Sequence, residues 1–89
     1  SAIAKGSIGD SYVQLYQDDK ALDYYIKAIN SSENDYTTPK YLFKAGLLSS
    51  ALEKNSQALS YFKRIKDEYP NSTEAAQVDI QIGRLENLK

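Results

Sequence analysis

Apolar side chains recur every three to four residues along most of this chain, broken by short polar stretches, and that spacing predicts an all-α protein of five helices. The first runs from about Ala2 to Gln17, with Ile8, Tyr12 and Leu15 on one face. Asp18 or Asp19 is placed to cap a second at about 19–31, whose stripe is Leu22, Tyr25 and Ile29, with Ala21 and Ala28 beside it. The polar stretch NSSENDYTT reads as a loop. Thr38 before Pro39 pairs an N-cap with a first helical residue and opens a third helix at about 39–53, with Leu42, Ala45, Leu48 and Leu52 inward. Asn55 is placed to cap a fourth at about 56–68, with Ala58, Leu59, Phe62 and Ile65 inward, and YPNST stops it. Asn71 or Ser72 is then placed to cap a fifth at about 73–88, with Val78, Ile82 and Leu85 in line, and Asn71 to Glu74 has capping-box spacing.

The pattern repeats. Residues 18–29 read DDKALDYYIKAI, and residues 55–66, 37 positions later, read NSQALSYFKRIK. Gly9, Gly46 and Gly83 keep the same 37-residue interval. A glycine inside a helix costs about 1 kcal/mol relative to alanine, so three in register point to close helix packing, with Ala21 and Ala58 as small residues on the facing helices. Volume shifts between the units: Ile8 and Tyr12 become Ala45 and Ser49, whereas Ala28 becomes Ile65. Ile65 is expected to fill the space the smaller residues vacate.

These residues resemble the tetratricopeptide repeat, whose pattern is W-x2-L-G-x2-Y, then A-x3-F, then P. The first unit has Ile8-Gly9-x2-Tyr12, Ala21-x3-Tyr25 and Ala28, with Lys5 at the Trp position and Glu33 at the Pro position. The second has Leu42-x2-Ala45-Gly46-x2-Ser49, Ala58-x3-Phe62, Ile65 and Pro70, and the third keeps Ile82-Gly83. The resemblance implies a right-handed α-solenoid of antiparallel helix pairs: unit one at about 2–34, unit two at about 39–72 and a closing helix at about 73–88. The ending Lys66, Glu68, Tyr69, Pro70 and Ser72 is also similar to C-terminal repeats of bacterial envelope proteins of the translocon-associated and Tol–Pal-coordinator types. That narrower resemblance implies a periplasmic location and a membrane anchor outside this segment, and the start at Ser1 without Met suggests a piece of a longer protein.

Composition narrows the chemistry. The 89 residues carry 11 Lys plus Arg against 12 Asp plus Glu, which argues against a dedicated nucleic-acid binder. There is no Cys and no His, so disulfides, thiolate metal sites and the commonest general base are absent. No apolar run approaches the roughly 18 residues that span a bilayer, and no direct membrane contact is expected. Asp18-Asp19 stands where a helix start favours negative charge, and Lys63, Arg64 and Lys66 read as dipole-complementing residues on a solvated face. Of the eight Tyr, Tyr12 and Tyr25 are assigned to the core, and Tyr24, Tyr36, Tyr41, Tyr61 and Tyr69 to packing against neighbouring helices and turns. No catalytic residue, cofactor or metal site is expected.

Repeats of this family use the face of their first helices to hold a polypeptide. In this register the face comprises Asp10, Val13 and Gln14, then Lys40, Phe43, Lys44 and Leu47, then Gln77 and Gln81. Lys40 and Lys44 beside Phe43 and Leu47 suit an acidic–hydrophobic segment. A carboxylate clamp of the kind some members carry would use the positions of Gly6, Asp10, Lys44, Gln77 and Gln81, of which Lys44 alone has suitable chemistry. The expected function is a non-catalytic module that binds a protein or peptide partner. The alternative is an architectural or self-assembly segment of a longer repeat array with no groove ligand, its unshielded strip on the first pair, which includes Ile3, Tyr16 and Tyr24, covered by an upstream pair or by another copy.

Overall fold

The computed structural model describes residues 1–88. Among these the chain forms five helices and no strand: α1 (Ala2–Gln14), α2 (Asp18–Ser31), α3 (Thr38–Ala51), α4 (Asn55–Glu68) and α5 (Ala75–Glu86). Each helix packs on the next in sequence, giving an all-α helical-repeat fold. The Cα trace fits 33 × 28 × 17 Å, two helix layers thick. Gly6 and Tyr41 bring α1 against α3, and Arg84 hydrogen-bonds Ser50 to bring α5 against α3. The first helices therefore share one layer. Glu33, just past α2, pairs with Arg64 of α4 on the other side.

The repeat reappears in the backbone. Tyr16 and Glu53, 37 residues apart, both take left-handed φ values, 58° and 61°. Gln17 N–H donates to Tyr12 O and Tyr16 N–H to Val13 O; Lys54 N–H donates to Ser49 O and Glu53 N–H to Ser50 O. Both are Schellman closures, with Tyr and Glu where glycine is usual. They end α1 and α3 at Gln14 and Ala51, short of the expected 17 and 53. Because α2 and α4 start directly afterwards, Asp18, Asp19 and Asn55 lie inside the first turn and do not cap it. Asp18 and Asp19 there complement the helix dipole.

Two further helix starts differ from expectation. Thr38 is the first residue of α3, and its hydroxyl accepts from Asn34 N–H at 2.9 Å. Asn34 Oδ1 accepts from the N–H groups of Tyr36 and Thr37, both at 2.8 Å, so Asn34 organises this loop. Helix α5 begins at Ala75, later than the expected 73, and Glu74 makes no capping-box return bond, but Ser72, one of the two expected caps, accepts from Ala75 N–H at 3.1 Å.

The core is formed by Ala21, Leu22, Tyr25, Ala28 and Ile29 of α2, Tyr41, Leu42 and Ala45 of α3, Ala58, Phe62 and Ile65 of α4, and Val78 and Leu85 of α5. Helix α1 departs from its expected face. Ile8 and Leu15 are 42% and 61% exposed, and the buried residues are Ala2, Gly6 and Gly9. Large apolar side chains suggested one stripe, but helix approach selected the small ones. A Cβ at Gly9 would stand 2.7 Å from the Tyr25 ring, and one at Gly46 would stand 2.6 Å from the Phe62 ring. Gly83, expected to pack likewise, has nothing within 4 Å. Because Ile8 is exposed, its change to Ala45 vacates no core space, and that part of the volume argument for Ile65 falls. Ser49, at the position of Tyr12, is fully buried, and its hydroxyl has no protein partner.

The glycines therefore divide by function. Gly46→Ala should overpack the α3–α4 pair and destabilise by about 1–3 kcal/mol. Gly83→Ala meets open space and should stabilise by about 0.5–1 kcal/mol through helix propensity. Urea melts of both variants check this, and equal signs would refute the division.

Candidate functional site: the face shared by the first helices

Tyr41 of α3 slides its ring beneath Gly6 of α1, where a Cβ would collide with it. That ring stacks on Tyr25 of α2, with centroids 6.0 Å apart and planes 21° apart. Tyr25 also covers Gly9, and its Oη donates to Asp10 Oδ1 at 2.5 Å. Lys44 Nζ donates to the same oxygen at 2.8 Å and lies 5.8 Å from the centroids of both Tyr rings. Three helices thus converge on one carboxylate.

Burial alone would raise the pKa of Asp10. The hydrogen bonds from Lys44 and Tyr25 and the charges of Lys44 and Lys40 outweigh it and hold the carboxyl below its ordinary range. The Tyr25 phenol is pushed well above its ordinary value, first by burial and then by the bond to Asp10. It stays protonated and remains a donor.

Beside this network lies an open hollow of about 510 Å³, lined by Asp10, Val13, Gln14, Tyr25, Lys44, Leu47 and Leu48. Five of the nine residues expected on the face come together there: Asp10, Val13, Gln14, Lys44 and Leu47. Lys40 stands outside the hollow, exposed, with Nζ 5.4 Å from the Tyr41 centroid. Phe43 is half-buried and packs edge-on against Phe62 at 5.7 Å, so its ring supports α4. Gln77 and Gln81 sit on α5, away from the hollow, and Gln81 accepts from Arg84 at 3.1 Å. Lys44, the one clamp-like residue, is committed to Asp10, and Gly6 is buried under Tyr41. Tyr25 and Leu48 were not expected here. The sequence held one signal for Tyr25: its repeat counterpart is Phe62, and the counterpart of Asp10 is Leu47, so hydroxyl and acceptor are exchanged together.

The expected strip on the first pair is found in part. Ile3 and Tyr16 are 63% and 93% exposed, whereas Tyr24 is half-buried and stacks on Tyr12 at 5.6 Å. The basic run of α4 is not simply solvated. Lys63 pairs with Glu86, Arg64 with Glu33 and Glu68, and Lys66 with Asp79.

A layer of first helices that offers an open hollow, backed by second helices, is the arrangement of a helical-repeat fold. Residues 40–72, which span α3, α4 and the turn that follows, match the model of the tetratricopeptide repeat family. Such repeats generally mediate protein–protein interaction and are non-catalytic. Neither the curated proteins nor the solved structures contain a match to the chain.

The lowered pKa of Asp10 sets a pH dependence. Its pairing stabilises the fold at neutral pH, and that contribution is lost as pH falls from the unfolded carboxylate value of about 3.9 through the lower folded one. Asp10→Asn should therefore be less stable than the parent at pH 7 and lose less on acidification to pH 2. Urea midpoints at both pH values measure this, and parallel pH profiles would refute it.

Proposed function

We propose that the α1–α3 face binds a polypeptide segment, which seats an apolar side chain in the hollow between Val13, Leu47 and Leu48. The observation that carries this reading is the hollow itself: apolar walls around a carboxylate already neutralised by Lys44 and Tyr25. An apolar side chain entering there leaves no carboxylate without a donor.

Full burial of one leucine-sized side chain contributes about 1.5–3 kcal/mol. A millimolar complex already needs about 4 kcal/mol, so one anchor is insufficient. Ile3 of α1 and Leu88 just beyond α5, 63% and 51% exposed, fall on the same side in the repeat register and offer further apolar contacts. The binding surface in this proposal spans the first-helix layer. By the similarity of the Lys66–Ser72 ending, we also place this module at the periplasmic side of a bacterial envelope.

Panning a random peptide library on the chain tests the reading. Peptides recovered on the parent should bind Leu47→Asp at least about tenfold more weakly, with the melting temperature nearly unchanged because Leu47 is 41% exposed. Failure to recover peptides, or indifference to Leu47→Asp, would refute it.

A second reading, self-association through the first pair, is favoured by a separate observation. Ile8 and Leu15 are exposed on α1, whereas their counterparts in the repeat, Ala45 and Leu52, are buried and half-buried. Sedimentation from micromolar to millimolar concentration should then show association that Ile8→Lys plus Leu15→Lys abolishes. A monomer throughout would dismiss it.

A further inference from the structure

The charges of the first-helix layer are not those of the chain. The whole protein is net −1. On this face the positions that correspond in the repeat are Asp10, Leu47 and Arg84, then Ser7, Lys44 and Gln81, then Ile3, Lys40 and Gln77. They hold three cations and one anion. The anion, Asp10, is bound by Lys44, so that pair is neutral. Among the described residues the two cations left have no carboxylate partner, as is also true of Lys5, Lys20, Lys27 and Lys54 away from this set, and in this they differ from the basic run of α4. Lys63, Arg64 and Lys66 each have a carboxylate partner. Among the described residues Lys40 and Arg84 have none: Lys40 lies over the Tyr41 ring, and Arg84 donates to the neutral oxygens of Ser50 and Gln81. Lys40 is in the first turn of α3, where the helix dipole disfavours a cation. An anion beside it would relieve that.

The geometry points to an acidic occupant. We propose that the segment held on this face carries carboxylate side chains on both sides of its apolar anchor, one set toward Lys40 and the other toward Arg84, with Lys44 left on Asp10. This rests on the reading of the hollow as a polypeptide site and specifies its ligand. The neutral Asp10–Lys44 pair favours an apolar side chain at the centre. The cations at the flanks favour negative charge there and disfavour a basic segment. A terminal carboxylate is not required, because Lys44 is already engaged.

The experiment uses the peptides recovered by panning, synthesised as found, with each Glu or Asp changed to the amide, with each changed to Lys, and with the C-terminus amidated. Affinities are measured by fluorescence anisotropy on the parent, on Lys40→Glu plus Arg84→Glu, and on Leu47→Asp. The recovered peptides should be net acidic. The amide versions should bind about tenfold more weakly and the Lys versions more weakly still. The double charge reversal should invert that order. The advantage of the acidic form should shrink between 0.1 M and 1 M salt as the screening length falls from about 10 Å to about 3 Å. Neutral or basic peptides whose binding is abolished by Leu47→Asp would overturn the acidic ligand and leave the site standing. Loss on C-terminal amidation alone would place the recognised charge at a chain end and overturn the proposal. Binding indifferent to Leu47→Asp would remove both the ligand and the site.

Discussion

The contact on which the rest depends is an aromatic ring laid on a helix glycine. Tyr25 on Gly9 and Phe62 on Gly46 bring each second helix closer to its first than a Cβ would allow. Ala21 and Ala58, four residues before the rings and fully buried, keep the same approach open. The ring that closes the first pair also builds the site. Its edge covers glycine, its face stacks on Tyr41, and its hydroxyl holds Asp10, which holds Lys44. In the second unit, Phe62, Leu47 and Gln81 replace Tyr25, Asp10 and Lys44, and the whole polar chain disappears together. Tyr25 is buried, and its hydroxyl left without an acceptor would cost roughly 1–3 kcal/mol, so losing Asp10 while keeping the Tyr would have been the costly course.

The junctions between units use different forces. Ile26 and Ile29 of α2 pack on or within the core, but their counterparts on α4 are Lys63 and Lys66, which pair with Glu86 and Asp79 at 3.2 and 2.7 Å. Leu42 and Ser49, buried on α3, become Asp79 and Glu86 on α5. Exposed pairs of this type contribute about 0–1 kcal/mol each. Buried Val78 and Leu85, with half-buried Ile82, therefore carry most of the attachment of α5, while the ion pairs let its other face meet water.

The five helices and the inward faces of α2, α3 and α4 were legible because large apolar residues mark them in both units. The face of α1 was not, because its true contact surface is Ala2, Gly6 and Gly9, and small residues carry little weight in a hydrophobic pattern. Helix starts were misplaced for a related reason. The left-handed turns at Tyr16 and Glu53 have no glycine to announce them. The repeat register, together with the first-helix face that the tetratricopeptide resemblance implies, brought Asp10, Val13, Gln14, Lys44 and Leu47 to one face. It could not show that Lys44 is spent on Asp10, since that depends on where a tyrosine from a third helix ends.

That expenditure decides what the face can recognise. A lysine with no partner at the centre would favour any anion, including solvent ions, and would resist an apolar side chain. With Lys44 fixed by Asp10, the centre accepts apolar groups, and the remaining cations lie at the ends of α3 and α5, too far apart to act as one point charge. Selectivity then comes from the order of apolar and acidic groups along a segment and not from total charge. The elements that present this order are helices packed through close ring–glycine contacts, so little of the face needs to be ordered on binding and most of that entropy cost falls on the incoming segment. Exposed flanking charges add modest affinity and mainly speed encounter, so the apolar centre must supply the lifetime of the complex.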